Sequence, residues 1–378
     1  MNEYPGLIVW CQAFGAQIAP APTFQGEDHS MVSAIQTVKD IAVERLNHCC
    51  GRAEVDWSLV RKPRFERANF ATRYHFIYPA IGHFIRLKKK PELASSLRPQ
   101  LDLMYRALLE PRTWRYWHDE LNETSWPLKE RNLTYAGRLA TFIGFYIDAF
   151  GSPPAGRIEL DGQITTYTEL SESLYHQMTA SPTCGVSCYH HQSMVMCNAH
   201  MLINNTLHDR LFGTDYATAN EDWLSTVDKH LITGTSTGPL FYFGTKSDDP
   251  HPILDKSSLG ADIWSFFAMS GVEPGRVRDW FTRWRGNISE KDGLSWIEIS
   301  PEDHKSEFSS NQLASSWAFC LARELGDYDL ADKLAAWLRP QVEKGFDADP
   351  FLSGLYVLGE ELTAGAFHKL VTGEGKCQ

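Results

Sequence analysis

The chain has 378 residues, 43% hydrophobic and 12% aromatic, enough for a full core and far from the composition of disordered chains. Its formal net charge is −11, with 47 Asp and Glu against 36 Lys and Arg. That balance removes the broad attraction exploited by nucleic acid and anionic membrane surfaces, so neither is an expected partner. The eight cysteines are scattered along a long chain and do not make the dense framework of a small secreted domain.

The opening stretch, MNEYPGLIVWCQAFGAQIAPAP, has an apolar run but no basic leader region, so no secretory signal is expected. No run of about 18 uninterrupted apolar residues occurs, so no membrane span is expected either. A cytoplasmic setting with reduced thiols follows as the expectation. Helical periodicity begins at MVSAIQTVKDIAVERLNHC, within a segment 1–55 expected to pack onto a catalytic domain spanning 56–370. It continues through ANFATRYHFIYPAIGHFIRL, SLRPQLDLMYRALLE, LTYAGRLATFIGFYIDAF, YTELSESLYHQM, SMVMCNAHMLINNTLHDRLF and ATANEDWLSTVDKHL. The last five helices are expected in LGADIWSFFAMSG, RVRDWFTRWR, LASSWAFCLARELG, LADKLAAWLRPQV and PFLSGLYVLGEELTAGAFHKL. Several start after Ser, Thr or Asp and stop at Gly, as helix ends require. Strand-like pieces are few: RIELDGQITTY, PLFYFGT and LSWIEIS. Roughly a dozen helices with short connections predict an all-α fold, an (α/α)6 barrel of six helical pairs; an irregular bundle would share the same periodicity.

The stretch CYHHQSMVMCNAH, from Cys188 to His200, concentrates soft and titratable side chains. A zinc site needs paired ligand spacing, and the pattern C-x-H-H-x5-C-x2-H matches none of the common signatures. Cys197 and His200 can share a helix face, whereas the adjacent His190 and His191 would point apart in an extended segment. Acid-base chemistry fits better. A thiol in apolar surroundings has a raised pKa and stays protonated, able to donate to a leaving hydroxyl, while a second thiol takes the returning proton. Aromatic walls stabilise the positive charge that develops. No metal and no cofactor are expected. GTSTG at 234–238 lacks the lysine and context of a phosphate loop, and no DDxxD-type motif for magnesium and diphosphate is present.

Four blocks, LMYRALLEPRTWRYW with Trp114 and Trp117, KERNLTYAGRLATFIGFYIDAFG, CYHHQSMVMCNAHMLINNTLHDRLFGTDY and LASSWAFCLARELGD, occur in an order that resembles the linalool dehydratase-isomerase family. The resemblance spans about residues 57 to 340 and implies an (α/α)6-barrel enzyme of monoterpene type that forms a homo-oligomer. Cys188, Cys197 and Tyr74 fall on the family's catalytic positions. The chain also departs from the pattern. Arg138 stands where the family has a histidine, Tyr189 where it has a glutamate, and Asp40 is the nearest candidate for its N-terminal aspartate.

Combined, these readings give Cys188, Cys197 and Tyr74 as catalytic candidates, and Tyr189, His190, Arg138, Tyr242 and Trp264 as substrate-binding candidates. Arginine stays charged near neutral pH, so Arg138 is expected to bind an oxygenated or acidic group, or to pair with a local acid such as Asp148. The expected activity is a cofactor-independent lyase or isomerase acting on a small, hydrophobic, hydroxylated terpenoid or related natural product. One alternative is a terpenoid or meroterpenoid cyclase triggered by protonation or water loss. A second is a carbohydrate-active (α/α)6 enzyme, whose two carboxylates would come from residues such as Glu120, Asp148 and Glu307.

Overall fold

The computed structural model describes residues 74–373 except 120, 189–190, 236–237, 243, 247–248, 253–255, 301–309 and 344–349. The expected 1–55 segment, its helix and Asp40 lie outside the described residues. Twelve helices carry the architecture: α1 (Tyr74–Lys89), α2 (Ala94–Leu109), α3 (Leu133–Phe150), α4 (Tyr167–Ala180), α5 (Val195–Phe212) and α6 (Thr218–Thr226). They continue with α7 (Leu259–Ser270), α8 (Pro274–Trp284), α9 (Asn311–Leu325), α10 (Tyr328–Glu343), α11 (Pro350–Glu361) and α12 (Ala366–Thr372). Two single turns, Pro111–Trp114 and Tyr116–Asp119, lie between α2 and α3.

The odd-numbered helices close a ring. In sequence α1 packs on α3, α3 on α5, α5 on α7, α7 on α9, α9 on α11, and α11 returns to α1. Outside it, α2 covers α1, α4 covers α3 and α5, α8 covers α7, α10 covers α9, and α6 packs on α4. This is the (α/α)6 barrel. Burial follows position in the ring: every residue of α7 is buried, whereas α8 buries only Val277, Trp280, Phe281 and Trp284, one stripe at helical spacing. Helix ends obey the expected chemistry. Thr166 and Glu169 form a capping box at α4, Ser258 caps α7, Ser310 caps α9, and α3, α5 and α9 end on left-handed glycines. α3 and α5 approach closely at two glycines one heptad apart. A Cβ on Gly137 would lie 3.6 Å from His200, and one on Gly144 would lie 3.2 Å from Leu207, both on α5.

The 21-residue stretch of sequence expected as one helix over 350–370 is in fact two. Gly365 takes φ 70° between them, and the chain turns so that α12 runs beneath the ring. There Phe367 stacks on Phe267 with centroids 5.1 Å apart and tilts against Phe145. Glu324 of α9 accepts from the Phe367 and His368 amides, and Arg210 of α5 donates to the Leu370 and Val371 carbonyls. A carboxylate at the N-terminus and a guanidinium at the C-terminus complement the dipole of α12. The C-terminal ends of the inner helices are thus plugged, and their N-terminal ends surround the opposite end of the barrel.

Three small antiparallel sheets decorate the connections: β1 (Ile158–Leu160) with β2 (Gln163–Thr165); β3 (Gln192–Met194), β4 (Gly244–Lys246) and β5 (Asp249–Pro252); and β6 (Ile288–Lys291) with β7 (Leu294–Ile297). The strand-like sequences at RIELDGQITTY, PLFYFGT and LSWIEIS each contribute, and β3, β5 and β6 add partners too short to stand out. No helix among the described residues is long and apolar enough to cross a membrane.

Candidate active site

Cys197 sits in the first turn of α5, and Cys188 on the loop that leads into it. Asn198 holds that loop in place: its side-chain oxygen accepts from the Val186 amide at 2.8 Å, and its nitrogen donates to the Val186 and Met194 carbonyls. The Cys188 amide donates to the Gln192 carbonyl at 2.7 Å, and the Leu133 amide at the start of α3 donates to the Ser187 carbonyl. Both cysteines are buried, neither is in a disulfide, and their thiols are in hydrogen-bond contact. Burial pushes the Cys188 thiol well above its usual range, and the adjacent Cys197 pushes it further; the Met194 amide and Arg138 pull weakly the other way.

Arg138, fully buried on α3, reaches the same place. Its Nη1 donates to the Thr134 carbonyl at 2.5 Å and to the Thr134 hydroxyl at 3.2 Å, and that hydroxyl lies 3.3 Å from Cys197 Sγ. The guanidinium carbon stands 5.1 Å from the Trp264 ring centroid, a cation-π distance. Trp264 stacks on Trp317, and Trp317 meets Tyr78 edge to face with centroids 4.6 Å apart. The Trp264 indole N–H donates to the Tyr78 hydroxyl, which is paired with His200 Nε2 at 2.9 Å. The phenol proton goes to Nε2 when the imidazole carries its own proton on Nδ1. Phe351 closes this wall against Tyr78 and Trp317. Residues from α1, α3, α5, α7, α9 and α11 therefore converge on one cluster.

Of the sequence candidates, Cys188, Cys197, Arg138 and Trp264 are brought together. Tyr74 is the first residue of α1, and its side chain lies outside the description, as do Tyr189 and His190. His191 is exposed, with φ 58°, and its Nε2 is 3.1 Å from Arg131 on the outer surface. Tyr242 is half-buried in a bridge to Lys256, and its amide donates to the Leu231 carbonyl; no described contact joins it to the cluster. Its neighbour Phe241 packs outward on Phe266 and Trp280.

Asp148 is not the partner of Arg138. Ten residues along one helix separate them by about 15 Å, and Asp148 sits at the plugged end between Lys88 and Arg210, each at 2.5 Å. The two cations hold its carboxyl below the usual range against the opposing effect of burial. The same contacts remove Asp148 from the carboxylate pair of the carbohydrate alternative, and Glu120 and Glu307 lie outside the described residues. Trp114 and Trp117 are structural, donating their indole N–H to the Leu109 and Ser125 carbonyls. No group of three His, Cys, Asp or Glu side chains among the described residues is arranged to hold a metal ion.

Sequence reasoning missed Thr134, Tyr78, Trp317 and Phe351. Tyr78 was signalled by its place one helical turn after Tyr74. The other three carry no local signal, because only ring closure brings α3, α9 and α11 to the cysteines.

Comparison with known proteins agrees with this architecture. A chain of unsaturated glucuronyl hydrolase from Bacillus sp. GL1 superposes with a TM-score of 0.51 at 12% identity, covering 90% of this chain and 97% of that one. A UGL structure with dGlcA-Glc-Rha-Glc gives the same TM-score and coverage at 11% identity. At such identity the likeness is one of fold. The family model described as linalool dehydratase/isomerase matches residues 80–349, which include α1 from residue 80 onward, all of α2 to α10, and every described residue of the cluster except Tyr78 and Phe351. The chain belongs to the linalool dehydratase/isomerase family.

Proposed function

We propose that the protein is a cofactor-independent lyase or isomerase that removes, adds or relocates water on a hydroxylated terpenoid or related natural product. The observation that carries this reading is the buried contact between Cys188 and Cys197 within an aromatic wall. Hydroxide is a poor leaving group, so ionising an allylic alcohol needs a proton donor at the oxygen. A thiol whose pKa is raised by burial is such a donor, and a second sulfur in contact with it completes the exchange. Trp264, Trp317 and Tyr78 offer π-faces to a developing carbocation. Arg138 adds a fixed guanidinium, which favours a substrate with an oxygenated or acidic group beyond the simplest monoterpenols.

In this reading Tyr74 orients the substrate oxygen, and Tyr189 and His190 shape selectivity beside Cys188. Ring closure triggered by the same ionisation would make the enzyme a cyclase. The functional unit is read as a homo-oligomer.

A panel of terpenoid alcohols and glycosides, incubated with and without chelator and analysed by gas chromatography–mass spectrometry, tests the proposal. Expected is water loss or hydroxyl migration from an alcohol, indifferent to chelator. Glycoside cleavage without alcohol turnover, or full loss of turnover on chelation, would contradict it.

A further inference from the structure

The two thiols are chemically alike but differently surrounded. Cys197 occupies the third position of an 18-residue helix, where the first-turn amides and the helix dipole favour negative charge. Thr134, on the neighbouring α3, places its hydroxyl between Arg138 Nη1 and Cys197 Sγ, at 3.2 and 3.3 Å. Arginine only donates, so that contact uses a lone pair of the Thr134 oxygen. The hydroxyl proton can then point at the sulfur, carrying the polarisation of the guanidinium to it. Among the described residues no such hydroxyl meets Cys188, which takes the Met194 amide and lies outside the helix.

We propose that Thr134 is a positioning residue that transmits the charge of Arg138 to Cys197, making Cys197 the thiolate that accepts the substrate proton and Cys188 the thiol that donates one. This rests on the acid-base reading above and gives it a direction. The Cys188 S–H bond breaks as its proton joins the leaving hydroxyl, releasing water and leaving a Cys188 thiolate. The carbon–oxygen electron pair departs with that water, and the Cys197 thiolate removes a proton from the adjacent carbon to form the double bond. Cys197 is then the thiol, and direct transfer to Cys188 restores the starting state. The pair carries −1 before and after the reaction and −2 while the carbocation exists, so an anion always accompanies the carbocation. This answers the difficulty that a buried guanidinium would otherwise oppose one.

Among the described residues, the titratable and charged groups around Cys197 are Arg138 on α3, Cys188 on the loop, His200 one turn further along α5, and Tyr78 of α1 bonded to that histidine. On α7, Asp262 turns outward to the Leu240 amide and the Trp284 indole. On α4, Tyr167 meets Asn204 two turns further along, and His368 and Lys369 of α12 lie at the plugged end.

The test is a pH titration of the full-length protein labelled with 13C at cysteine Cβ, the two resonances being assigned with Cys188→Ser and Cys197→Ser. In the wild type Cys197 ionises at lower pH than Cys188. Thr134→Val, nearly isosteric, reduces the Cys197 thiolate population at neutral pH roughly tenfold, whereas Thr134→Ser keeps it within about twofold. Arg138→Met shifts Cys197 in the same direction as Thr134→Val. The proposal is overturned if Cys188 ionises first, which needs no variant, or if folded Thr134→Val titrates like the wild type. Because no substrate is present, the titration stands or falls separately from the alcohol panel.

Discussion

At the scale of single residues, the cluster is a set of shared atoms. The Tyr78 oxygen serves both the Trp264 indole and the His200 imidazole, so Tyr78→Phe strips two buried groups of a partner at once. Leaving buried polar groups unsatisfied costs about 1–3 kcal/mol, and urea denaturation of that variant is expected to show a loss of this order. An unchanged midpoint would mean that the phenol is dispensable. The cysteines were legible in the sequence because they lie close together in a distinctive spacing. Thr134 was not, because threonine on an apolar helix is unremarkable until the turn of α3 sets it between a guanidinium and a sulfur. Asp148 shows the opposite error: a nearby acid in sequence is about 15 Å away on a helix, and its true partners come from α1 and α5.

Elements matter through the way they hold others. Asn198 binds backbone on both sides of Cys188 with three side-chain hydrogen bonds, so the loop and α5 move as one. Asn198→Ala is expected to destabilise the protein by about 2–3 kcal/mol at roughly one per buried bond, and to speed amide exchange at 186–188 well beyond that of α9. Exchange that rises equally everywhere would point to global loosening instead. At the other end, Glu324 secures α12, and burial raises its carboxyl to about 7 despite the helping amides of Phe367 and His368. Its native pKa therefore exceeds the unfolded value near 4.3, so the folded state binds more protons between about pH 4 and 7. Stability from this group is full below that window and is lost as pH rises through about 7. Burial raises Asp262 to about 7 as well, with the same sign, while burial lowers His83 to about 4 and so favours the native state as pH rises to 6.5. Comparison with Glu324→Gln isolates the first term. Denaturation at pH 5, 6, 7 and 8 should show the wild type losing stability relative to the variant as pH rises, by at most about 1.4 kcal/mol per unit. A constant difference would show that Glu324 titrates normally.

For the whole molecule, periodicity and turn chemistry were enough to predict about a dozen helices, while an irregular bundle shared the same pattern and the family resemblance pointed to six helical pairs. Inner α7 is buried on every side and outer α8 carries a single stripe. What periodicity does not contain is how the ring closes. The return of α11 onto α1 and the dive of α12 beneath the barrel depend on contacts between distant parts of the chain, and on one left-handed glycine at 365 that ends a helix the apolar pattern would have continued. Closure has a chemical consequence: it gathers the amino ends of six helices and an aromatic wall around two thiols that the sequence shows only as a short motif. The account therefore depends on the cysteine pair. Its most direct test is the turnover of Cys188→Ser and Cys197→Ser on whichever terpenoid alcohol the wild type converts, with folding checked by circular dichroism. Each variant should keep the wild-type fold and lose at least about a hundredfold in rate; wild-type rates in both would contradict the account.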